Sequence, residues 1–580
     1  MEFALEGVHT NGKSTLYPSP LALAATFDST LVAAVGRSIA ADCRARAVEV
    51  ALAPELTLFD GGDALLRATT FGDNPLHASR CAVAFAEGLT AGGIMPVGRS
   101  CAPSSARGDA AEEARREMLR RTLSSELFGG VLLRGGTQEC RAVEDSLFNE
   151  GFLRGECRFD GLLLGDLWQT RSTRGALRGG VDIDLPRGEW LNAERLRPLL
   201  DSGAVSQSEI DRRVRRMLVV RQRFGLMHPA QADATIPANR PASREVALEA
   251  ARRSLVLLRN EGGLLPLSAS RGGVLVLGNR LYANTESGGD ASVYPYDRTT
   301  LTDMLAGREG FELLPASRRR IDLTLTGEFF ADEEATLPGI RARYFRGRTP
   351  GVKPAVERIE RYVDYAWGPD MPVEQCDTTG FTALWNTFYR PAEESVVRFG
   401  LAGRGGWQLL LDGEEVLRRD AAADDAEQIF MLHAEAGRTY CLELRYTSVG
   451  EESDIQLSCT PTPVGDLDAR MRRARRLLFC VGNDGDLDAE SRFWLELAAR
   501  YPQKSIVVMQ SCDVSDLAWS GRVAASVLAW HAGQEAGRAI AGLLTGEFAP
   551  TGRMPLATPQ YPFAYGLGYD AKQMKRAAGR

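Results

Sequence analysis

Asp160-Gly161-Leu162-Leu163-Leu164-Gly165-Asp166-Leu167-Trp168 is the stretch whose reading decides how the first part of this chain folds. Three leucines between glycines are enough for a buried strand and too few for a helix. A carboxylate follows at once, where the strand would end. Two similar runs lie upstream: Val48-Glu49-Val50-Ala51-Leu52-Ala53-Pro54, closed by proline, and Gly93-Ile94-Met95-Pro96-Val97. Helical spacing separates them. Asp28 and Ser29 are N-cap candidates ahead of Leu31, Val35 and Ile39, and a second helix spans the region 82–91. The Arg-rich stretch 207–224, bearing Ile210, Val214, Met217 and Leu218, reads as the last helix of this layer. Repeated βα units imply a parallel sheet with its site at the carboxyl ends of the strands.

Outward from there, the pattern changes twice. Residues 226–243 turn to Pro, Ala, Asn and Ser and read as a linker after a first domain of 1–225. A second α/β region opens with a helix over 244–258 and the strand Val274-Leu275-Val276-Leu277-Gly278. It breaks off near 331. From 332 to 462 the period becomes two, with Trp407, Leu409 and Leu411 on one face and Tyr440, Leu442, Leu444 and Tyr446 on another. That predicts an all-β sandwich. The α/β pattern then resumes over 463–570 with Leu477-Leu478-Phe479-Cys480-Val481 and Ile506-Val507-Val508-Met509. The economical reading is an α/β multidomain protein in which one α/β domain, 244–331 and 463–570, is interrupted by a β-sandwich insert.

Composition narrows the function. The chain has 580 residues, 44% hydrophobic and 25% charged, which is ordinary globular make-up. Lys+Arg 69 against Asp+Glu 76 gives a net charge of −7, so nothing in bulk charge calls for nucleic acid or an anionic membrane as partner. Ten cysteines without a C-x-x-C pair make no disulfide scaffold, and five histidines without ligand spacing argue against a metal site. No cofactor is called for. The start, Met1 to Gly12, has no basic stretch followed by an apolar run, and no apolar run reaches about 18 residues. The expectation is a cytoplasmic protein, with room for a homo-oligomer.

Several phrases resemble glycoside hydrolase family 3. Tyr17-Pro18-Ser19-Pro20-Leu21-Ala22-Leu23-Ala24-Ala25-Thr26-Phe27-Asp28 is similar to the family's F-P-x-x-x-x-L-A-A-T-[WF]-D, and Phe71-Gly72-Asp73-Asn74-Pro75 to F-G-E-D-P. Ser254-Leu255-Val256-Leu257-Leu258-Arg259-Asn260-Glu261 with Leu264-Leu265-Pro266-Leu267 resembles S-[IL]-V-L-L-[KR]-N-E…L-L-P-L. Gly533-Gln534-Glu535, Pro550-Thr551-Gly552-Arg553-Met554-Pro555 and Tyr565-Gly566-Leu567-Gly568-Tyr569 match its closing phrases. In the insert, Gly339-Ile340-Arg341-Ala342-Arg343-Tyr344-Phe345 and Leu410-Leu411-Asp412-Gly413 resemble a protective-antigen-type β-sandwich module. The resemblance implies a (β/α)8-type barrel followed by an α/β sandwich domain carrying this insert. Only about 225 residues are left for a barrel that usually takes about 250, so a truncated barrel is expected.

The family's chemistry is retaining hydrolysis of β-glycosides by two carboxyl groups. The resemblance places Asp166 as nucleophile. For the acid/base it offers Asp488, in register with the family's E-G-x-D-R when Arg492 is the anchor, or Glu490, two residues out of register. The sugar-binding positions correspond to Glu6, Arg67 (one place off), Arg99 where the family has lysine, and Arg134, with Trp168 beside the nucleophile. The departures are marked: Ser100 replaces the family's histidine, Gly135 removes an aromatic wall, and Lys13 is the one lysine in residues 1–225. Two readings follow. One is a retaining β-glycosidase acting on an intracellular glycosylated small molecule. The other is a catalytically degenerate member that binds a sugar-bearing or anionic metabolite through Arg67, Arg99 and Arg134, or has a changed reaction or scaffold role.

Overall fold

Leu163 and its neighbours Leu162 and Leu164 face opposite sides of a sheet, and each side buries them in a different core. Leu163 joins Val131, Leu133 and Ala51 in one cluster, while Leu162 and Leu164 join Leu52, Val97 and Leu132 in another. This two-sided burial is why the strands read as unbroken apolar runs. The computed structural model describes the chain except residues 11, 60–63, 102–108, 136–140, 167–168, 268–272, 318, 368–375, 377–379, 421–425, 451–452 and 578–580.

Six strands form this sheet, in the order Glu2–Phe3, Val50–Leu52, Met95–Cys101, Gly130–Arg134, Leu162–Gly165 and Ile183–Asp184, every neighbouring pair parallel. Among the described residues no pairing closes the first strand onto the last, so the truncated barrel is a curled half-barrel. Helices Ser29–Arg44, Pro75–Ala91 and Asp109–Leu123 cover its outer face. The first starts at its expected cap, Asp28, which accepts from Leu31 N–H at 3.1 Å; the second starts at Pro75, ahead of the expected 82, where Asn74 accepts from His77 N–H at 3.0 Å. They cross where Gly36 meets Gly88, and a Cβ on Gly88 would stand 2.2 Å from the Ala33 carbonyl oxygen. The inner face takes a substitute for the missing strands. Helix Gln207–Arg223, capped by Ser206 and Glu209, buries Val220 there, with Met217, Phe224 and Leu226 packed around it. Its Val214 and Leu218, expected on the apolar face, are about half exposed.

The second α/β layer has the strand order Phe311–Leu313, Val274–Leu277, Arg476–Gly482, Ser505–Gln510, Ala525–Leu528, all parallel, with Val256–Asn260 antiparallel at the edge. The helix expected over 244–258 is shorter. It spans Pro241–Ser254, and Val256-Leu257-Leu258 leaves it to pair with Ala525–Leu528, because burial on a sheet edge overrides helical spacing. The strands Lys13–Ser14 and Tyr294–Pro295 pair in parallel across the two layers.

The insert is two antiparallel sheets face to face, of seven and four strands. The two alternating faces read from sequence are one. Trp407 pairs with Tyr446, Leu409 with Leu444 and Leu411 with Leu442, so both sets enter the same aromatic core with Trp385, Tyr344 and Phe399. Val396 and Met431 turn instead toward the α/β domain and join its core beside Trp494. No helix among the described residues is long and apolar enough to cross a membrane.

Candidate active site

Four consecutive strands deliver one polar side chain each to the carboxyl edge of the half-barrel. Leu133 is in register with Gly165, so the next residues along, Arg134 and Asp166, come side by side, with Arg134 Nε 3.8 Å from Asp166 Oδ2. One strand over, Arg99 and Glu55 meet across a parallel bridge. Glu55 is fully buried, its Oε2 3.5 Å from Arg134 Nη1 and 3.8 Å from Arg99 Nε, while the Thr57 hydroxyl donates to its Oε1 at 2.7 Å. Buried Arg99 also lies 5.1 Å over the Phe3 ring. The second layer contributes Asp290, 2.7 Å from Arg99 Nη2 and 3.6 Å from Arg134 Nη2. Buried ions persist only when paired, and here two guanidinium groups face three carboxylates. Asp166, 26% exposed, and Arg134, 27% exposed, form the open side of this cluster.

Glu6 lies beside this group but in a separate network. The Ser287 hydroxyl donates to Glu6 Oε1 at 2.5 Å and stands 2.9 Å from His531 Nδ1; all three residues are buried. Burial pushes the Glu6 carboxyl up to about 8, against the Ser287 hydrogen bond and aided by Glu286. Burial likewise drives His531 down to about 4, the charge of Asp484 opposing it. Near neutral pH the trio is a neutral hydrogen-bonded chain. The following Gly7 has φ 139°, and a Cβ there would meet the Thr15 carbonyl oxygen at 2.2 Å, so glycine is what lets the chain turn here.

Residues 484–490 carry an acid at every second position, and each acid has its own task. Asp484 accepts the Glu286 N–H at 2.8 Å and pairs with Arg280 at 3.1 Å. Asp486 pairs with Arg67, whose other partner is Asp513 at 3.2 Å. Asp488 caps helix Ala489–Ala499, its Oδ1 accepting the Ser491 N–H at 2.7 Å. Glu490, in the first turn, reaches the insert, where Arg398 Nε is 3.4 Å from its Oε2. Burial raises the Glu490 carboxyl above its usual range and Asp488 adds to that, against Arg398, Arg280 and a hydrogen bond from Asn279.

Of the residues singled out from sequence, Asp166, Arg99 and Arg134 are thus brought into one cluster. Glu6 is in the Ser287–His531 chain, Arg67 holds the acidic segment, and Asp488 and Glu490 are on that segment. Trp168 lies outside the described residues. Sequence reasoning missed Glu55 and Asp290. Glu55 carried a signal, a carboxylate directly after the proline that closes a strand. Asp290 carried none, because it reaches the site from another layer. Among the described residues no three His, Cys, Asp or Glu side chains gather in a way that would hold a metal ion.

Comparison with known proteins fixes the family. The glycosyl hydrolase family 3 C-terminal domain matches residues 255–577, and the glycosyl hydrolase family 3 N-terminal domain matches residues 3–102. The chain belongs to glycosyl hydrolase family 3. The N-terminal match takes in Glu6, Glu55, Arg67 and Arg99. Among relatives, a β-glucosidase of Rhizobium radiobacter is 24% identical over 94% of this chain and 72% of its own length. β-Glucosidase B of Emericella nidulans is 24% identical over 94% and 70%. The fold is that of β-glucosidase crystal structures. One from Kluyveromyces marxianus superposes with a TM-score of 0.67 at 19% identity, covering 98% of this chain and 80% of that one. One from Streptomyces venezuelae, in complex with D-glucose, gives 0.65 at 18% identity, covering 97% and 78%. As a family 3 member the chain is a glycoside hydrolase of the β-glycosidase kind.

Proposed function

We propose that this family 3 chain is a retaining β-glycosidase that acts on a small glycoside inside the cell, with Asp166 as nucleophile and Glu490 as acid/base. The observation that carries the reading is the convergence of Glu55, Arg99, Arg134 and Asp166 from four successive strand ends, where barrel enzymes keep their chemistry. In the first step the Asp166 carboxylate attacks the anomeric carbon as the bond to the leaving oxygen breaks, and Glu490 gives that oxygen its proton. In the second, ionised Glu490 takes a proton from water, which displaces Asp166 from the sugar. The reacting complex needs the two carboxyl groups about 5–5.5 Å apart. Glu490 is preferred to Asp488 on two grounds. The Asp488 carboxylate is committed to its helix cap, and burial shifts the Glu490 carboxyl above its usual range, the direction a general acid needs. The two relatives described above are named β-glucosidases, which supports a glucoside as substrate.

The pairing of the arginines favours a neutral sugar over an anionic ligand. Arg67 faces Asp486 and Asp513, Arg99 faces Asp290 and Glu55, and Arg134 faces Glu55, Asp166 and Asp290. A phosphate or carboxylate would meet those acids as well as the arginines. The test is hydrolysis of a panel of aryl β-glycosides by the wild type and Asp166→Asn. The proposal expects turnover by the wild type and a loss of roughly 10⁴-fold in the variant. A wild type inert across the panel would sink it.

A further inference from the structure

The cation in ion-pair range of Glu490 among the described residues comes from the insert, not from the domain that carries Glu490. Arg398 lies in strand Ser395–Ala402, directly opposite Met431 on the neighbouring strand and on the same face as Val396. Val396 and Met431 both enter the core of the α/β domain beneath helix Ala489–Ala499, so sheet register fixes where Arg398 stands. Its guanidinium is held from the other side. Nη2 donates to Glu427 Oε2 at 2.6 Å and Nη1 donates to Glu427 Oε1 at 3.3 Å, a two-point grip that presents the Nε edge to Glu490. Glu427 is steadied in turn by Arg319 at 3.2 Å. Arg398 is mostly buried, so water screens the pair only in part.

We infer that Arg398 of the β-sandwich insert is the positioning residue for the acid/base Glu490, so that the insert completes the catalytic machinery. The inference rests on Glu490 being that group. The other groups around Glu490 are Asp488 on its own helix and Arg280 and Asn279 after strand Val274–Leu277. On the insert, beyond Arg398 and Glu427, His433 is paired with Glu394 at 2.7 Å. Arg398 favours the ionised carboxylate, so its removal makes Glu490 hold its proton to higher pH. A planar, two-point-held guanidinium also fixes direction in a way an ammonium does not.

The experiment is the pH dependence of kcat/KM on an aryl β-glucoside for the wild type, Arg398→Met, Arg398→Lys and Glu490→Gln, with melting temperatures as a check on folding. In Arg398→Met the basic limb moves up by roughly one pH unit and kcat falls about tenfold. In Arg398→Lys the limb stays near the wild-type position while kcat is still reduced, a split that simple loss of packing does not produce. A limb unmoved in Arg398→Met, or moved equally in the lysine variant, overturns the inference. Should Arg398→Met not fold, the lysine variant decides alone, by a limb that stays or moves. Glu490→Gln separates the two claims. If it hydrolyses poor leaving groups as well as the wild type, the acid/base reading has failed and the inference falls with it. If it loses that activity while the Arg398 limb does not move, only the role of Arg398 has failed.

Discussion

Arg134 stands 3.8 Å from Asp166 because Leu133 and Gly165 are in register one residue earlier on adjacent parallel strands. The same guanidinium reaches buried Glu55 at 3.5 Å and Asp290 at 3.6 Å, so it ties Asp166 to the sheet and to the second layer. Replacing Arg134 by Met removes its charge from beside Asp166, Glu55 and Asp290. Loss of about 1.4–2.7 kcal/mol of transition-state stabilisation is expected, a 10- to 100-fold fall in kcat/KM. Lysine recovers little, since one ammonium cannot serve three carboxylates in different directions. Steady-state kinetics on an aryl glycoside read both variants.

Asp290 is the partner that the second layer lends to Arg99. Asp290→Ala removes the 2.7 Å contact from an arginine that is almost fully buried. With Asp290 itself about one-third exposed, the cost is about 1–3 kcal/mol rather than the full penalty of a buried pair. Denaturant unfolding followed by tryptophan fluorescence measures it, and Asp290→Asn is expected to fall between.

Glu6 and His531 set opposite limits on stability. Glu6 binds its proton more tightly folded, to about 8, than unfolded, so stability falls as pH rises from about 4.5 towards 8. His531 binds its proton less tightly folded, near 4, so stability also falls as pH drops from about 6.5 towards 4. Glu6→Gln therefore melts a few degrees above the wild type at pH 9 and shows no such gain at pH 4.5. Scanning calorimetry across that range checks the crossing; a constant offset at all pH values would contradict it.

Asp488 and Glu490 separate by the kind of damage their loss does. Asp488→Ala removes a helix cap and costs about 1 kcal/mol of stability, which Asn or Ser restores, while the chemical step is kept. Glu490→Gln leaves the melting temperature near that of the wild type and slows substrates with poor leaving groups most. A plot of rate against leaving-group acidity for both variants distinguishes them.

Much of this architecture was legible in sequence because it rests on short-range patterns. The Leu162–Leu164 run, the cap Asp28, and the period-2 strands around Trp407 each specify local structure, and the family phrases order them. The half-barrel's inner lining was not legible. Whether helix 207–223 lies outside a closed barrel or inside an open one depends on strands that are missing, and an absent strand leaves no periodicity to read. The site followed the same division. Asp166 ends the Leu162–Leu164 run and could be named from its local pattern, while Arg99 and Arg134 came from the family resemblance. Asp290 and Arg398 enter from other layers, far from Arg99 and Glu490 in sequence, where only tertiary packing brings charge to charge. The acids at 484–490 showed as a cluster, but spacing could not say which one caps, which tethers and which reaches the insert.

The central claim is that Asp166 forms the covalent link to the sugar, and one measurement reaches it directly. The wild type is incubated with an activated 2-deoxy-2-fluoro-β-glucoside, digested, and its peptides mapped by mass spectrometry. The account predicts time-dependent inactivation and one added fluoroglucosyl group on the peptide containing Asp166, absent in Asp166→Asn. A wild type that hydrolyses aryl glucosides yet carries the label on another carboxylate, or carries none, would contradict it.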